Sequence, residues 1–501
     1  MIAPLLALSL AATPGDQVWT ELQSRWRPRL EPLLTEVMRF PTVTGDKEAF
    51  AGQRRWLARV GPELGLVVHD RETMTEIDLP GPEGAPVLGL VVHGDLQPVN
   101  AAEWSVPPFA ATLKDGALWG RGAADDKGPL VQALLAMAAL KSSGLARTHT
   151  VRLLVGTDEE SGSSDLDEYK KAHRLPDLAL VLDSDFPVVT GEKAWAEWIV
   201  TANEHTGTTS GPVEVVDLVA GASASIVPDR AALTLRWRSG TPDWDRWLAP
   251  VRAVKLPKGT TLEISGQGPE RMVVTHGQAA HAGMALAQGR NALVALALAM
   301  HGRLPPSAAA DLLEYTRVAG VDLRGRGLGL KLDDPLWGSV DTNFGVVKRA
   351  ADGRLELHVN LRSGPALWGA ALKSRLDAHA NPFAASRGGR FETGGQFDFE
   401  PFVVPASAPL VQRLLAAYAR GTGHPGKPVV SPGGTYARRL NNAVAFGMWF
   451  REDGAYPGHS SHEHVPVRSL ERGMHVLAEA LGDLATSAPI EHPLGESTAT
   501  R

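Results

Sequence analysis

In the first part of the chain, three apolar runs each end in polar residues. PVLGLVVHGD (86–95), VRLLVGTDEE (151–160) and DLALVLDSD (177–185) have the length and apolar content of buried strands. Between the first two runs, GPLVQALLAMAALKSSG (128–144) is an apolar helix that ends at a glycine. This order predicts an α/β sheet whose ligand site lies beyond the carboxyl ends of the strands.

The pattern changes after about residue 195 to an alternation of apolar and polar positions, which is typical of antiparallel strands. AALTLRWRS, TLEISG and RLELHVNLRS show this alternation, and a long apolar helix is predicted over 289–304. The α/β pattern returns with a helix at 409–423 and a strand at 442–450. The simplest arrangement is one α/β domain that is split by an inserted α+β domain.

Composition narrows the class of protein. A chain of 501 residues is long enough for two or more domains, and 44% hydrophobic with 21% charged residues is typical of a soluble globular protein. A net charge of -6 gives no basic field, which argues against a nucleic-acid partner. The chain has no cysteine, so any metal must be bound by His, Asp and Glu.

The N-terminus, MIAPLLALSLAATPG, has the apolar run of an export signal and small residues for cleavage, although it has no positively charged start. The alternative is an N-terminus without a signal. The run is too short to span a membrane, and no later segment is apolar and long enough. We therefore expect no membrane association, a periplasmic or secreted location if the signal is used, and a cytoplasmic location otherwise.

Histidine and acidic residues follow the predicted strands or lie in Gly-rich turns: His93, Asp95, Asp125, Asp126, Glu159, Glu160, Asp183 and His459. Each alone fits a solvated turn, a helix N-terminus or a hydrogen-bonded core histidine. Together on one sheet edge, the carboxylates would raise each other's pKa values unless cations neutralised them. Two divalent ions about 3.5–4 Å apart would do so and would activate water for hydrolysis. Ligands without sulfur suit zinc, manganese or cobalt.

Several motifs occur in an order that matches a known family. They are HGDLQPV, EWSVPPF, KDGALWGRGAADDKG, GTDEESGSSD, DSDFPVVTGEK, PGGTYAR and GHSSHEH. Over about residues 17–485 the chain resembles the aminoacylase–carboxypeptidase G type of dinuclear zinc peptidases, and within it the dipeptidase V/carnosinase-like branch. The resemblance implies an α/β fold in which a mixed-sheet catalytic domain is split by an inserted α+β lid with ferredoxin-like halves.

This resemblance, with the N-terminal pattern, predicts the division of the chain. The predicted parts are the export signal (1–15), the first part of the catalytic domain (16–194), the lid (195–395), the second part of the catalytic domain (396–485) and a C-terminal tail (486–501). In shorter relatives a dimer partner supplies the lid histidine. Here one chain contains a lid with two related halves, so the resemblance implies a monomer.

The resemblance also implies roles for the site residues. Asp125 would bridge two divalent ions, most simply zinc, and the peptide bond after it would be cis. His93 and Asp183 would bind one ion, and Glu160 and His459 the other. The remaining three act on these groups: Glu159 as general base, Asp95 as the residue that orients His93, and Asp126 as a supporting residue behind the ligands.

The inserted domain would complete the site. His281 in QAAHAG resembles the histidine that stabilises the tetrahedral oxyanion, and Arg362 in HVNLRSG resembles the arginine that binds the substrate's C-terminal carboxylate. A loop would line that pocket, formed by Gly433, Gly434 and Thr435. Ser225 in ASIVPD stands where the family commonly has Asn, at the lid's contact with substrate or oxyanion. The proline usual after AHAG is absent, with Leu286 near that place.

These features predict a metallopeptidase that cleaves dipeptides. N-acyl amino acid hydrolysis and carboxypeptidase action remain open, because the same metal centre serves all three reactions. A dipeptide's ammonium group would need an acid, for which Asp126 and Glu192 are the candidates. A non-catalytic binding protein is the distant alternative, and such a protein would be expected to lose Glu159 or a histidine.

Overall fold

The computed structural model describes residues 12–203, 205 and 211–495. The chain divides into two compact units, with Gly191–Phe402 as unit 2 and the residues on either side of it as unit 1. Most of the predicted export segment lies outside the described residues, although Thr13 caps the first helix through reciprocal hydrogen bonds with Asp16. In the described part of the chain, every helix is too short or too polar to cross a bilayer.

The first part of unit 1 carries the predicted alternation of strands and helices. Its helices are α1 (Pro14–Glu21), α2 (Leu30–Met38), α3 (Lys47–Glu63), α4 (Lys127–Ser142) and α5 (Ser164–Ala172). Its strands are β1 (Val67–Asp70), β2 (Thr75–Leu79), β3 (Val87–His93), β4 (Thr112–Lys114), β5 (Ala117–Trp119), β6 (Thr150–Gly156), β7 (Leu178–Val181), β8 (Ser184–Asp185) and β9 (Val189–Glu192), the last of which runs into unit 2.

Unit 2 is an antiparallel sheet with helices. Its strands are β10 (Ala194–Ala202), β11 (Val213–Ala220), β12 (Arg230–Trp237), β13 (Thr261–Ser265), β14 (Glu270–His276), β15 (Asp341–Arg349), β16 (Leu355–Ser363) and β17 (Phe391–Phe399). Its helices are α6 (Trp244–Arg252), α7 (Ala292–Ala299), α8 (Ala308–Ala319) and α9 (Gly369–Ser386).

The chain then completes unit 1. The strands are β18 (Phe402–Val403), β19 (Val429–Ser431), β20 (Ala443–Ala445), β21 (Met448–Trp449) and β22 (His464–Pro466), and the helices are α10 (Pro409–Thr422) and α11 (Val467–Thr486).

The main sheet of unit 1 has the order β1-β2-β6-β3-β7-β20-β9-β18, with β19 also paired to β9. Strand β3 runs parallel to β6 and β7, and β20 runs parallel to β7. Helix α4, which is apolar on all sides and buried along most of its length, packs against β3, β6 and α11. Because β3, β6, β7 and β20 run parallel, their carboxyl ends lie at the same edge of the sheet, as the sequence predicts.

In unit 2, the sheet order is β13-β14-β12-β11-β15-β16-β10-β17, and the halves meet at Ala220 and Val347. Helices α6 to α9 share one apolar core with alternate residues of the strands. On β16, Leu357, Val359 and Leu361 belong to this core, so the residues between them lie on the opposite face. That alternation places Arg362, whose side chain is buried, on the face opposite the helices.

Two predicted elements are shorter than expected. The helix predicted over 289–304 is limited to α7, because Asn291 caps its start and Gly302, with φ of 69°, follows its end. The strand predicted over 442–450 is interrupted between β20 and β21 at Gly447, where φ is 71°. In both cases apolar residues continue beyond the regular element, so hydrophobicity alone overestimates its length.

Candidate metal centre

Three strand ends bring most of the predicted ligands together. His93 is the last residue of β3, Glu159 and Glu160 follow β6, and Asp183 follows β7. The other two ligands come from loops. Asp125 lies between β5 and α4, and His459 lies in the loop before β22.

Asp125 lies between the two histidines. Its Oδ1 is 2.9 Å from Nε2 of His93, and its Oδ2 is 3.1 Å from Nε2 of His459. The peptide bond between Asp125 and Asp126 is cis, as the resemblance implies. A carboxylate with one oxygen directed to each of two imidazoles has the arrangement expected of a residue that bridges two cations.

Each histidine also lies near a second carboxylate. Nε2 of His93 is 3.9 Å from Oδ2 of Asp183, and Nε2 of His459 is 2.9 Å from Oε2 of Glu160. His459 has a φ of 64°, a left-handed conformation that non-glycine residues rarely adopt and that surrounding structure must stabilise. Asp125 thus lies near both histidines, Asp183 lies on the His93 side, and Glu160 lies on the His459 side.

The charges of these groups favour a cation. Burial raises the pKa of Glu159, and the nearby charge of Asp183 raises it further. Burial also raises the pKa of Asp183, and Asp126 and Asp125 add to that effect. For Asp125, burial is outweighed by hydrogen bonds from His459 and His93, which lower its pKa. Dications would stabilise the anionic form of all three carboxylates and would replace the protons that otherwise lie between them.

Asp95 connects both sides of the centre. Its Oδ1 and Oδ2 accept the backbone N–H groups of Glu159 and Glu160 at 3.2 and 3.0 Å. Its Oδ1 also lies 3.4 Å from Nδ1 of His93, and its backbone oxygen lies 3.1 Å from that same nitrogen. With Nδ1 facing oxygen atoms, the imidazole presents Nε2 to the ligand side, as metal-binding histidines require.

Asp126 lies behind His93. Its Oδ2 accepts the backbone N–H of His93 at 3.1 Å, whereas its Oδ1 is buried without a hydrogen-bond partner among the described residues. Burial is the main cause of its raised pKa. An orphaned carboxylate oxygen beside a ligand histidine is costly in a neutral pocket and is stabilised by nearby positive charge, so the donor set fits divalent cations.

Sequence reasoning missed two residues that build the ligand loops. Glu463 is fully buried, and its Oε1 accepts the backbone N–H groups of Gly122, Ala124 and Asp125 at 2.9, 3.0 and 3.2 Å. Gly458 lies so close to Asp125 that an added Cβ would be 2.9 Å from Oδ2 of that carboxylate. Both residues are in the PGHSSHEH motif, but only the contacts reveal their roles.

Unit 2 gathers the predicted lid residues. Nδ1 of His281 accepts the backbone N–H of Met284 at 3.0 Å, so Nε2 carries the proton and is a donor. A Cβ on Gly283 would lie 3.1 Å from both Cζ of Arg362 and Cε1 of His281, which shows how close these two side chains are. Ser225 accepts a hydrogen bond from the indole of Trp195 at 3.2 Å.

The predicted pocket loop lies in unit 1. Gly433 donates its N–H to Ser431 Oγ at 3.0 Å, and Thr435 caps a helical turn by accepting the N–H of Ala437 at 3.1 Å. A Cβ on Gly434 would lie 2.8 Å from the guanidinium carbon of Arg438. Glu192, one of the two candidates for binding an ammonium group, is fully buried at the end of β9.

Comparisons with known proteins identify the family of the chain. Peptidase family M20/M25/M40 matches residues 89–483. The chain is 29% identical over 412 residues to the Beta-Ala-Xaa dipeptidase of Lactobacillus delbrueckii subsp. lactis, covering 79% of this chain and 82% of that protein.

Solved structures support the fold. Human carnosine dipeptidase 1 is similar with a TM-score of 0.57 and 14% identity, covering 93% of this chain and 98% of that chain. The dipeptidase Dug1p of Saccharomyces cerevisiae is similar with a TM-score of 0.57 and 16% identity, again covering 93% and 98%. The predicted α/β fold and the predicted resemblance are therefore confirmed. The chain belongs to peptidase family M20/M25/M40, a family of metallopeptidases.

Proposed function

We propose that this chain is a dipeptidase that uses two divalent ions, with zinc as the native metal and manganese or cobalt as substitutes. The observation that carries the proposal is Asp125, whose two oxygens face His93 and His459 separately. His93, Asp125 and Asp183 would bind one ion, and Asp125, Glu160 and His459 the other. When bound, the ions supply positive charge that activates a water molecule and polarises the scissile carbonyl.

Glu159 is the general base in this proposal. Its carboxylate takes a proton from the attacking water, whose oxygen forms a bond to the carbonyl carbon. The same proton then passes to the amide nitrogen as the C–N bond breaks, which releases two amino acids. Asp95 contributes as a positioning residue, since it binds the backbone of Glu159 and Glu160 and contacts His93.

Residues of unit 2 would bind the substrate. His281 presents a protonated Nε2 that can donate to the oxyanion of the tetrahedral intermediate. Arg362 can bind the C-terminal carboxylate through the paired N–H groups of its guanidinium. Ser225, Gly433, Gly434 and Thr435 would line the substrate pocket, and Glu192 or Asp126 would face the ammonium group. The name of the Lactobacillus relative, a Beta-Ala-Xaa dipeptidase, supports a dipeptide substrate.

The test is a substrate panel with metal analysis of the same preparation. Protein stripped with a chelator and reloaded with zinc, manganese or cobalt is assayed on dipeptides, tripeptides and N-acetyl amino acids. We expect two ions per chain and turnover of dipeptides. Release of acetate from N-acetyl amino acids without dipeptide cleavage would establish the amidohydrolase alternative, and cleavage of tripeptides from the carboxyl end would establish the carboxypeptidase.

The Glu159→Gln variant tests the general base. It should retain two ions per chain and lose about 10²- to 10⁴-fold in kcat, because the amide cannot accept the proton. Metal content by elemental analysis serves as the control for an intact centre. A kcat close to wild type would remove Glu159 from this role.

A further inference from the structure

A row of four side chains that includes Arg362 crosses the face of the unit 2 sheet that lies opposite the helices. Asp341 on β15, Arg362 on β16, Trp195 on β10 and Phe399 on β17 occupy successive register positions. Directly opposed residues of antiparallel strands have Cβ atoms about 4.5–5.5 Å apart and share a face. The row therefore places Trp195 directly opposite Arg362 on the same face of the sheet.

The orientation of Trp195 is determined by two neighbours. Its ring meets Phe399 edge to face, with centroids 6.3 Å apart and an interplanar angle of 75°. Its indole N–H donates to Ser225 Oγ at 3.2 Å. Both aromatic rings are only half-buried, so they form an apolar wall that is open on one side.

The hydrogen bond between Trp195 and Ser225 also connects this aromatic wall, formed by Trp195 and Phe399, to the loop that carries His281. The carbonyl of Ser225 accepts the N–H of Ala282 at 2.8 Å, and Ile226 pairs with His281 in an antiparallel bridge. The hydroxyl of Ser225 thus binds the indole while its backbone binds the loop that carries His281. This contact uses the hydroxyl oxygen of Ser225 as the acceptor.

The charges in the row favour an anion at Arg362. Asp341, the acidic neighbour of Arg362 in the row, is paired with Lys193, whose Nζ lies 2.7 Å from its Oδ2. Nε of Arg362 donates to Oδ1 of Asn360 at 3.3 Å, which fixes the plane of the guanidinium. Asp341 is thus paired with Lys193, and Arg362 has its guanidinium plane oriented by Asn360, an arrangement that suits two-point binding of a carboxylate.

We infer that Trp195, positioned by Ser225 and Phe399, forms the subsite for the C-terminal side chain and makes the enzyme prefer bulky apolar residues there over glycine. The inference rests on the proposed function, in which Arg362 binds the C-terminal carboxylate. The carboxylate and the side chain of an amino acid are attached to the same carbon. A residue whose carboxylate binds Arg362 therefore directs its side chain to an adjacent position. The indole of Trp195 forms the wall of that position.

The test compares Ala-Gly, Ala-Leu and Ala-Phe as substrates of the metal-loaded full-length enzyme. Wild type should show kcat/KM for Ala-Leu and Ala-Phe about ten- to a hundred-fold above Ala-Gly, the range that apolar pockets give for differences of this size. Trp195→Ala should reduce that ratio to below about threefold, because kcat/KM for Ala-Leu and Ala-Phe falls more than kcat/KM for Ala-Gly. Trp195→Phe, which keeps an aromatic ring, should retain most of the preference.

Trp237→Phe is the matched control, because Trp237 lies on β12 and donates its indole N–H to the carbonyl of Ser239. It should leave the ratio unchanged, and thermal midpoints show whether each variant is folded. If Trp195→Ala and Trp195→Phe both keep the wild-type ratio, or lower kcat/KM equally for all three dipeptides, the inference is wrong and the proposed function stands. If wild type cleaves no dipeptide, the proposed function fails and the inference fails with it.

Discussion

Unit 1 contains two clusters of histidine and carboxylate side chains. Their spacing is similar, but the carboxylates of the two clusters have different positively charged partners. In one, His69, Glu76 and Asp78 bring ligand atoms within 4.8 Å of one another on β1 and β2. In the other, His93, Asp125 and Glu160 do the same at the metal centre, within the same 4.8 Å. Residue types and distances alone therefore do not separate a metal site from an ordinary ionic network.

The partners of the carboxylates separate them. Arg152 binds both oxygens of Asp78 at 2.9 Å, and Arg71 lies 3.1 Å from Glu76. In the described part of the chain, the ion pairs of Asp125, Glu160 and Asp183 are made with His93 and His459 and with no lysine or arginine. The first cluster is neutralised by arginine side chains of the protein, whereas the second has only histidine partners among the described residues, which favours a bound cation.

The largest expected effect comes from Asp125→Asn, compared with Asp78→Asn in the other cluster. Loss of the shared carboxylate should reduce bound metal from two ions per chain to fewer than one and lower kcat/KM to below about one hundredth of wild type. Asp78→Asn should leave both quantities unchanged. Elemental analysis measures the bound metal, and dipeptide kinetics measure kcat/KM. If Asp78→Asn lost metal and Asp125→Asn did not, the assignment of the two clusters would be reversed.

Removing the metal should lower the free energy of unfolding, and this effect should depend only on the residues of the proposed metal centre. Free zinc at about 1,000 times the Kd of a site should add about 4 kcal/mol per occupied site to the free energy of unfolding of chelated protein, because the ion binds the folded state. Urea denaturation with and without zinc gives this increment. Asp78→Asn should show the same increment, and Asp125→Asn a much smaller one; equal increments in all three proteins would place the stabilising metal elsewhere.

Arg152→Gln should destabilise the protein without changing its metal content. The substitution removes both hydrogen bonds from Arg152 to Asp78 and leaves Glu76 ion-paired with Arg71, which costs about 3 kcal/mol for a pair as well buried as this one. Arg59→Gln provides the control, since its ion pair with Glu36 is 51% and 41% exposed and should cost less than about 1 kcal/mol. Urea denaturation measures both. A reduced metal content in Arg152→Gln would show that the two clusters are coupled.

The smallest effect is the pH dependence of Glu76. Burial would raise its pKa, but the hydrogen bond from Tyr169 and the ion pair with Arg71 outweigh burial and lower it below 4.5. Because the folded pKa is the lower one, this stabilisation is present above pH 4.5 and is lost as pH falls through the folded pKa. Tyr169→Phe should cost about 1 kcal/mol at pH 7 and progressively less at pH 4 and below. A cost that does not depend on pH would contradict this account.

The proximity of the predicted ligands could be anticipated because their signals are local. His93 ends an apolar strand, Glu160 and Asp183 follow apolar strands, and parallel strands must end at one edge. The catalytic assignments, the domain boundaries and the monomeric state remain predictions. Trp195 and Glu463 could not be found in this way, because each acts through partners far away in sequence. Trp195 depends on register with Arg362, and Glu463 depends on a loop more than 300 residues earlier.

The link between Glu463 and the 122–125 loop has a consequence for the order of events during synthesis. A single carboxylate near the C-terminal end accepts hydrogen bonds from three backbone groups of a segment translated much earlier. The 122–125 loop therefore gains these three hydrogen bonds only once Glu463 has been synthesised. In the proposed centre, the nascent polypeptide would carry an incomplete set of donors until His459 is also present.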